Sequence, residues 1–187
     1  MLKMNRKLKG LLKFVTLLGI GISLLGAGGI TANASKKAYW GHFDSKRITY
    51  HIDSTSKHYR GIWKSAIKNW NSQHVVKLIN TNKKSNADIR LTSIAGTLKS
   101  QRYSGVNDNT GNVIIHSSMK LHRVFMDDGY YKYSTSDRIS VASQALGYSL
   151  GLKLNKSAKS VMNSYQFRNH ITPSDRANLK AAYKGVK

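Results

Sequence analysis

The stretch Val141-Ala142-Ser143-Gln144-Ala145-Leu146-Gly147-Tyr148-Ser149-Leu150-Gly151-Leu152-Lys153-Leu154, followed by Ser160-Val161-Met162-Asn163, decides how the rest of the chain is read. Its small and apolar residues recur at helical spacing, with Ile139, Ala142, Ala145, Leu146 and Ser149 on one face. Just upstream, Ser134-Thr135-Ser136-Asp137 supplies capping hydroxyls and a carboxylate for the first turn, where the helix dipole favours negative charge. Gly151 is a natural stop, because glycine readily takes the left-handed conformation that ends helices. The spacing predicts a helix over about residues 136–150.

Upstream of this helix, Ile48, Tyr50 and Ile52 alternate within Arg47–Ile52 and predict a strand. Asp53-Ser54-Thr55-Ser56 is turn and cap chemistry. Tyr59, Ile62, Trp63, Ala66, Ile67 and Trp70 then follow at helical spacing and predict an amphipathic helix over residues 57–71, its aromatic stripe facing the core. His74–Ile79, Ala87–Leu91 and Asn112–His116 read as strands, and Met119–Phe125 as a further edge strand. Residues 96–111, rich in Ser, Gly and Asn, read as an irregular loop, as do 127–133 and 152–171. Thr172 caps a last helix with Pro173 at its first position and Asp175 in its first turn. The order β-α-β-β-β-loop-α-loop-α predicts an α/β (α+β layered) domain.

The N-terminal stretch has another character. Residues 1–13 are basic and without acid, and Phe14–Ile30 is an uncharged apolar run ending in Thr31-Ala32-Asn33-Ala34. A basic head, a short apolar stretch and a small-x-small end are the features of a secretory signal peptide. We read residues 1–34 as that leader and 35–187 as the domain. Removing the leader takes away five Lys and Arg and no acid, and lowers the formal charge from +23 to +18. This implies a secreted, extracellular protein with no stable membrane span after cleavage.

Composition narrows the chemistry. The 187 residues contain no cysteine, which removes disulfides, thiolate metal sites and a cysteine nucleophile. They contain no glutamate either: all eight acids are aspartates, at 44, 53, 88, 108, 127, 128, 137 and 175. There is no G-x-S-x-G, P-loop or G-x-G-x-x-G motif. The histidines form no H-x-x-x-H pair, and His116 and His122, six apart, would stand about 20 Å apart on one strand.

The 141–154 stretch with its Ser160-Val161-Met162 resembles the active-site helix and Met-turn of the metzincin zinc endopeptidases, the matrixins above all. That family's pattern is H-E-x-x-H-x-x-G-x-x-H followed by a Met-turn. Here the frame residues Leu146, Gly147, Leu150, Gly151, Leu152 and Met162 fit. The chemical positions do not. The three zinc-ligand positions hold Gln144, Tyr148 and Leu154, and the general-base position holds Ala145. The resemblance spans about residues 38–185 and implies a small zincin-like fold: a twisted mixed sheet, two long helices and a short C-terminal helix. Zinc is the family's cofactor, but no intact ligand or catalytic residue remains here. The resemblance therefore implies a pseudo-peptidase with no cofactor, one that binds peptides or anionic cell-wall polymers without cutting them. Two other readings stay open: an active secreted zinc metalloendopeptidase with a non-standard site, and a basic wall- or polyanion-binding structural protein. The charge favours polyanions. No helix-turn-helix, zinc-finger or RRM signature points to specific nucleic acid, and nothing fixes an oligomeric state.

The leader reading makes one simple prediction. N-terminal sequencing of material recovered from the culture medium should begin at Ser35; an intact Met1 in the membrane fraction would defeat it.

Overall fold

The computed structural model describes residues 37–53, 55–95 and 101–187, and the leader read at 1–34 lies outside them. Ala38–Lys187 forms one unit. Its strands are β1 (His42–Phe43), β2 (Arg47–Ile52), β3 (Lys77–Asn80), β4 (Ile89–Ile94), β5 (Tyr103–Thr110) and β6 (Val113–His122). Its helices are α1 (Lys57–Asn71), the single turn α2 (Arg123–Met126), α3 (Thr135–Ser149) and α4 (Pro173–Ala182). The architecture is mixed α/β. Strands β3, β2, β4 and β6 lie side by side and parallel, β1 pairs parallel with the start of β6, and β5 pairs antiparallel with β6.

The two 15-residue helices form as their sequences dictate. The Ser56 hydroxyl accepts from the Tyr59 amide at the start of α1, and Ser134 with Asp137 makes a reciprocal capping box on α3. The apolar stripe of α1 is fully used: Tyr59, Ile62, Trp63, Ala66, Ile67 and Trp70 are all buried. Both indoles find partners, as buried Trp should. Trp63 Nε1 donates to Thr92 O at 3.0 Å, tying α1 to the end of β4. Trp70 Nε1 donates to Ser143 O at 2.8 Å, tying α1 to α3. Helix α3 itself is buried on most sides, Ser140 through Gly147 included, so it is a core element rather than a surface helix.

The region between β4 and α3 departs from the sequence reading. Residues 103–110 are not loop but strand β5, paired with β6 along its length. Ser, Gly and Asn are weak strand formers, and the ladder of β6 imposes the strand on them. The signal was the dipeptide Gly111-Asn112. It makes a two-residue hairpin turn between the paired Thr110 and Val113, with Gly111 at φ +60°. The separate strands read at Asn112–His116 and Met119–Phe125 are one ten-residue strand, β6, followed by the turn of α2. Ser117-Ser118, which lies between the two predicted strands, does not interrupt the ladder. Ser117 is buried in the strand, where its hydroxyl accepts from Ser149 Oγ of α3 at 2.5 Å. Strand β3 begins at Lys77 rather than His74, because His74 has φ +55° and belongs to the turn after α1. Strand β4 runs from Ile89 to Ile94, past the end of the predicted Ala87–Leu91.

Gly151 ends α3 and admits a second segment. It has φ +95°, and a Cβ there would collide with Gly41 O. In the space this leaves, Trp40 N–H donates to Gly151 O at 2.7 Å and Lys153 N–H to Ala38 O at 2.9 Å. The segment at 38–41 is thereby pinned to the end of α3. Gly151→Ala should combine left-handed strain with a backbone collision and cost about 3 kcal/mol or more of stability, readable in a denaturant melt. A loss under about 1 kcal/mol would mean the segment at 38–41 is not held there.

Candidate functional site

The frame that the sequence singled out assembles around the turn Ser160–Asn163, which packs under α3. Met162 is buried against Gly147: a Cβ on Gly147 would lie 2.6 Å from the Met162 sulfur and 2.7 Å from Trp70 Cζ2. Gln144, one turn earlier on α3, is 4 % exposed. Its amide nitrogen donates to both Val161 O at 2.9 Å and Asn163 O at 2.6 Å, bracketing Met162. Ala145 beside it is fully buried. Tyr148 turns to different company, with its ring 5.7 Å from that of Trp40. Tyr103 of β5 is close enough to feel it: burial first, and then Tyr148, push the Tyr103 hydroxyl up to about 12 despite nearby Arg102. Leu154 is 43 % exposed. The fold thus brings Gln144, Gly147 and Met162 together, and sets Tyr148 and Leu154 in other surroundings.

These residues do not fit zinc. The Gln144 nitrogen is committed to two backbone carbonyls, and its remaining amide oxygen is neutral and a weak donor beside imidazole. Ala145 offers a methyl group where a general base would stand, and Leu154 offers hydrocarbon. Among the described residues no three His, Cys, Asp or Glu side chains gather closely enough to hold a metal.

The turn under α3 is held from its other side by Asp175, 1 % exposed. Its Oδ1 accepts from Ser160 Oγ at 2.5 Å and its Oδ2 from Val161 N at 3.2 Å. The same Oδ2 accepts from Thr172 N at 2.9 Å and Thr172 Oγ1 at 2.7 Å, completing the capping box of α4. The sequence marked Asp175 as a helix-start residue only. Its second role arises because the fold lays Ser160-Val161 across the start of α4.

Other polar groups have structural work. Asp127 accepts from the Tyr59 hydroxyl at 2.7 Å and lies 3.2 Å from Arg138, so it ties α1, α3 and the loop before α3. Asp128 accepts from its own loop, at Tyr130 N. Burial alone would raise the Asp53 carboxyl; hydrogen bonds and charge from Arg90 and Lys84 outweigh it and hold the group below its usual range. The fold also creates one pair that no spacing announced: Ser104 Oγ and His122 Nε2 lie 2.8 Å apart across β5 and β6. Burial and then Lys120 push the imidazole below its ordinary value, which favours the neutral base. Its buried Nδ1 has no hydrogen-bond partner, so no carboxylate orients it as a catalytic triad requires.

No family model matches the chain, and no curated protein matches it. No helix among the described residues is long and apolar enough to cross a membrane.

The clamp on residues 160–163 can be tested from both sides. Gln144→Leu keeps the side chain's size and should cost about 2 kcal/mol, since two buried carbonyls lose their donor. Asp175→Ala should cost more, about 3 kcal/mol, since it strips both the turn and the helix cap. Urea melts of both variants within about 0.5 kcal/mol of wild type would show that the turn is held by other contacts.

Proposed function

We propose that the chain is a secreted, matrixin-like peptidase homologue of zincin fold that has given up hydrolysis and binds anionic cell-wall polymers outside the cell. The observation that carries this reading is the Gln144 amide on the carbonyls of Val161 and Asn163. The family pattern puts a zinc-binding imidazole at this position. In its place stands a side chain that bonds the Met162 turn directly, so the turn keeps its seat beneath α3 without a metal. Ala145 removes the base that would activate water. A mixed sheet with two 15-residue helices and a ten-residue closing helix supports the kinship. The charge of +18 on residues 35–187 supports polyanions as the partner.

The purified protein should therefore carry no stoichiometric zinc and leave casein uncut. Installing Gln144→His, Ala145→Glu, Tyr148→His and Leu154→His together should create zinc uptake. Positions 144 and 148 are one helical turn apart, and Gly151 lets the chain swing 154 back. Removing Gln144 also loosens the turn, so the quadruple variant should melt lower than wild type without zinc and recover with it. Metal analysis and melts with and without zinc are the measurements. A folded quadruple variant that takes up no zinc would sink the matrixin alignment, and zinc-dependent cleavage by the wild type would replace the non-hydrolytic reading with an active peptidase.

A further inference from the structure

Two adjoining concavities, of about 600 and 410 Å³, share Lys46, His74 and Val75 and make one groove where β2 and β3 begin. Its walls are the turn after α1, the start of β3, helix α4 and the C-terminal turn. Six cations line it: Lys46, Arg47, Lys77, Arg176, Lys180 and Lys184. No aspartate does. The fold pairs four cations elsewhere: Lys84 and Arg90 with Asp53, Arg138 with Asp127, Arg168 with Asp137. Among the described residues none of the six groove cations takes part in an ion pair.

Folding alone gives no reason for this arrangement. Arg176 and Lys180 are four residues apart on α4, and like charges at that spacing weaken a helix. Lys46 and Lys77 are held close by the backbone, with Lys77 N–H on Lys46 O at 2.7 Å and Lys46 N–H on Lys187 O at 2.9 Å. Arg176 Nε donates to Gln73 O at 2.9 Å, which fixes the guanidinium against the turn after α1. The result is a concave surface whose charged lining side chains are all cations and whose walls are hydrogen-bonded to one another. Such a surface concentrates anions.

We propose that this groove is the binding site for a flexible, base-free phosphodiester polymer; the inference rests on the polyanion-binding reading above and assigns it a location. Four of the six cations are lysines, whose compact charge follows a moving phosphate chain without demanding one planar geometry. Single-stranded nucleic acid would call for aromatic platforms to stack its bases. The groove's one phenol, Tyr183, is buried, with its hydroxyl accepting from Phe43 N. The exposed rings Tyr130 and Tyr165 belong to other loops.

The test uses the purified protein and poly(glycerol phosphate), with binding measured across a salt series. Lys180→Gln/Lys184→Gln, both exposed, should weaken binding at least tenfold and lower the log–log salt slope by about two, one for each phosphate no longer neutralised. Lys64→Gln/Lys68→Gln removes the same charge from an exposed pair on α1 and should weaken binding less than threefold. Equal losses from the two pairs would overturn the groove as the site while leaving diffuse polyanion capture intact. No binding by the wild type would overturn both the groove and the reading it rests on. Binding to single-stranded DNA of equal phosphate count that is tenfold tighter than to poly(glycerol phosphate) would overturn the choice of a base-free polymer.

Discussion

The carboxylate of Asp175 and the amide of Gln144 hold the turn at 160–163 between them, and much of the fold's second half depends on that grip. A carboxylate excluded from water is costly unless its lone pairs are satisfied. Asp175 meets the requirement by taking four donors, two from the turn and two from its own helix cap. Gln144 supplies the complementary half, donating where the turn presents carbonyls. The irregular segment after Gly151 is thereby anchored to two helices without a disulfide, which this cysteine-free chain cannot make.

The same grip bears on function. In a metal-centred site, ligands from a helix and the segment after it are drawn together by the ion. Here the helix and the turn are joined by hydrogen bonds of their own, with Met162 packed on Gly147 and Trp70. In that arrangement the Gln144 amide nitrogen is committed to the carbonyls of Val161 and Asn163. The chemistry proposed for the protein accordingly moves from the buried centre to the surface, where its excess of cations lies.

The surface charge is not uniform in effect. Six of the eight aspartates serve defined internal partners: Asp53, Asp88, Asp127, Asp128, Asp137 and Asp175 each accept hydrogen bonds within the fold. Three of these acids, Asp53, Asp127 and Asp137, also lie within ion-pair distance of a cation. No aspartate lines the groove at the start of β2 and β3.

The elements with strong local signals were legible in the sequence. Helices α1, α3 and α4 were readable because their caps, periodicity and stops all agree within a few residues. Strand β2 was readable from its alternation. That positions 144, 145, 148 and 154 carry no imidazole or carboxylate was also a matter of residue type alone. Strand β5 was not legible, because its Ser, Gly and Asn become strand only when β6 offers a ladder. The continuity of β6 through Ser117 depended on a hydroxyl of α3 that no local window contains. The pairing of Ser104 with His122, the double duty of Asp175 and the six-cation groove share that origin. Each joins residues far apart in the chain, and only tertiary packing could bring them together. Composition fixed how much charge the protein carries; the fold decided which cations find an aspartate and which are left facing one another across a groove.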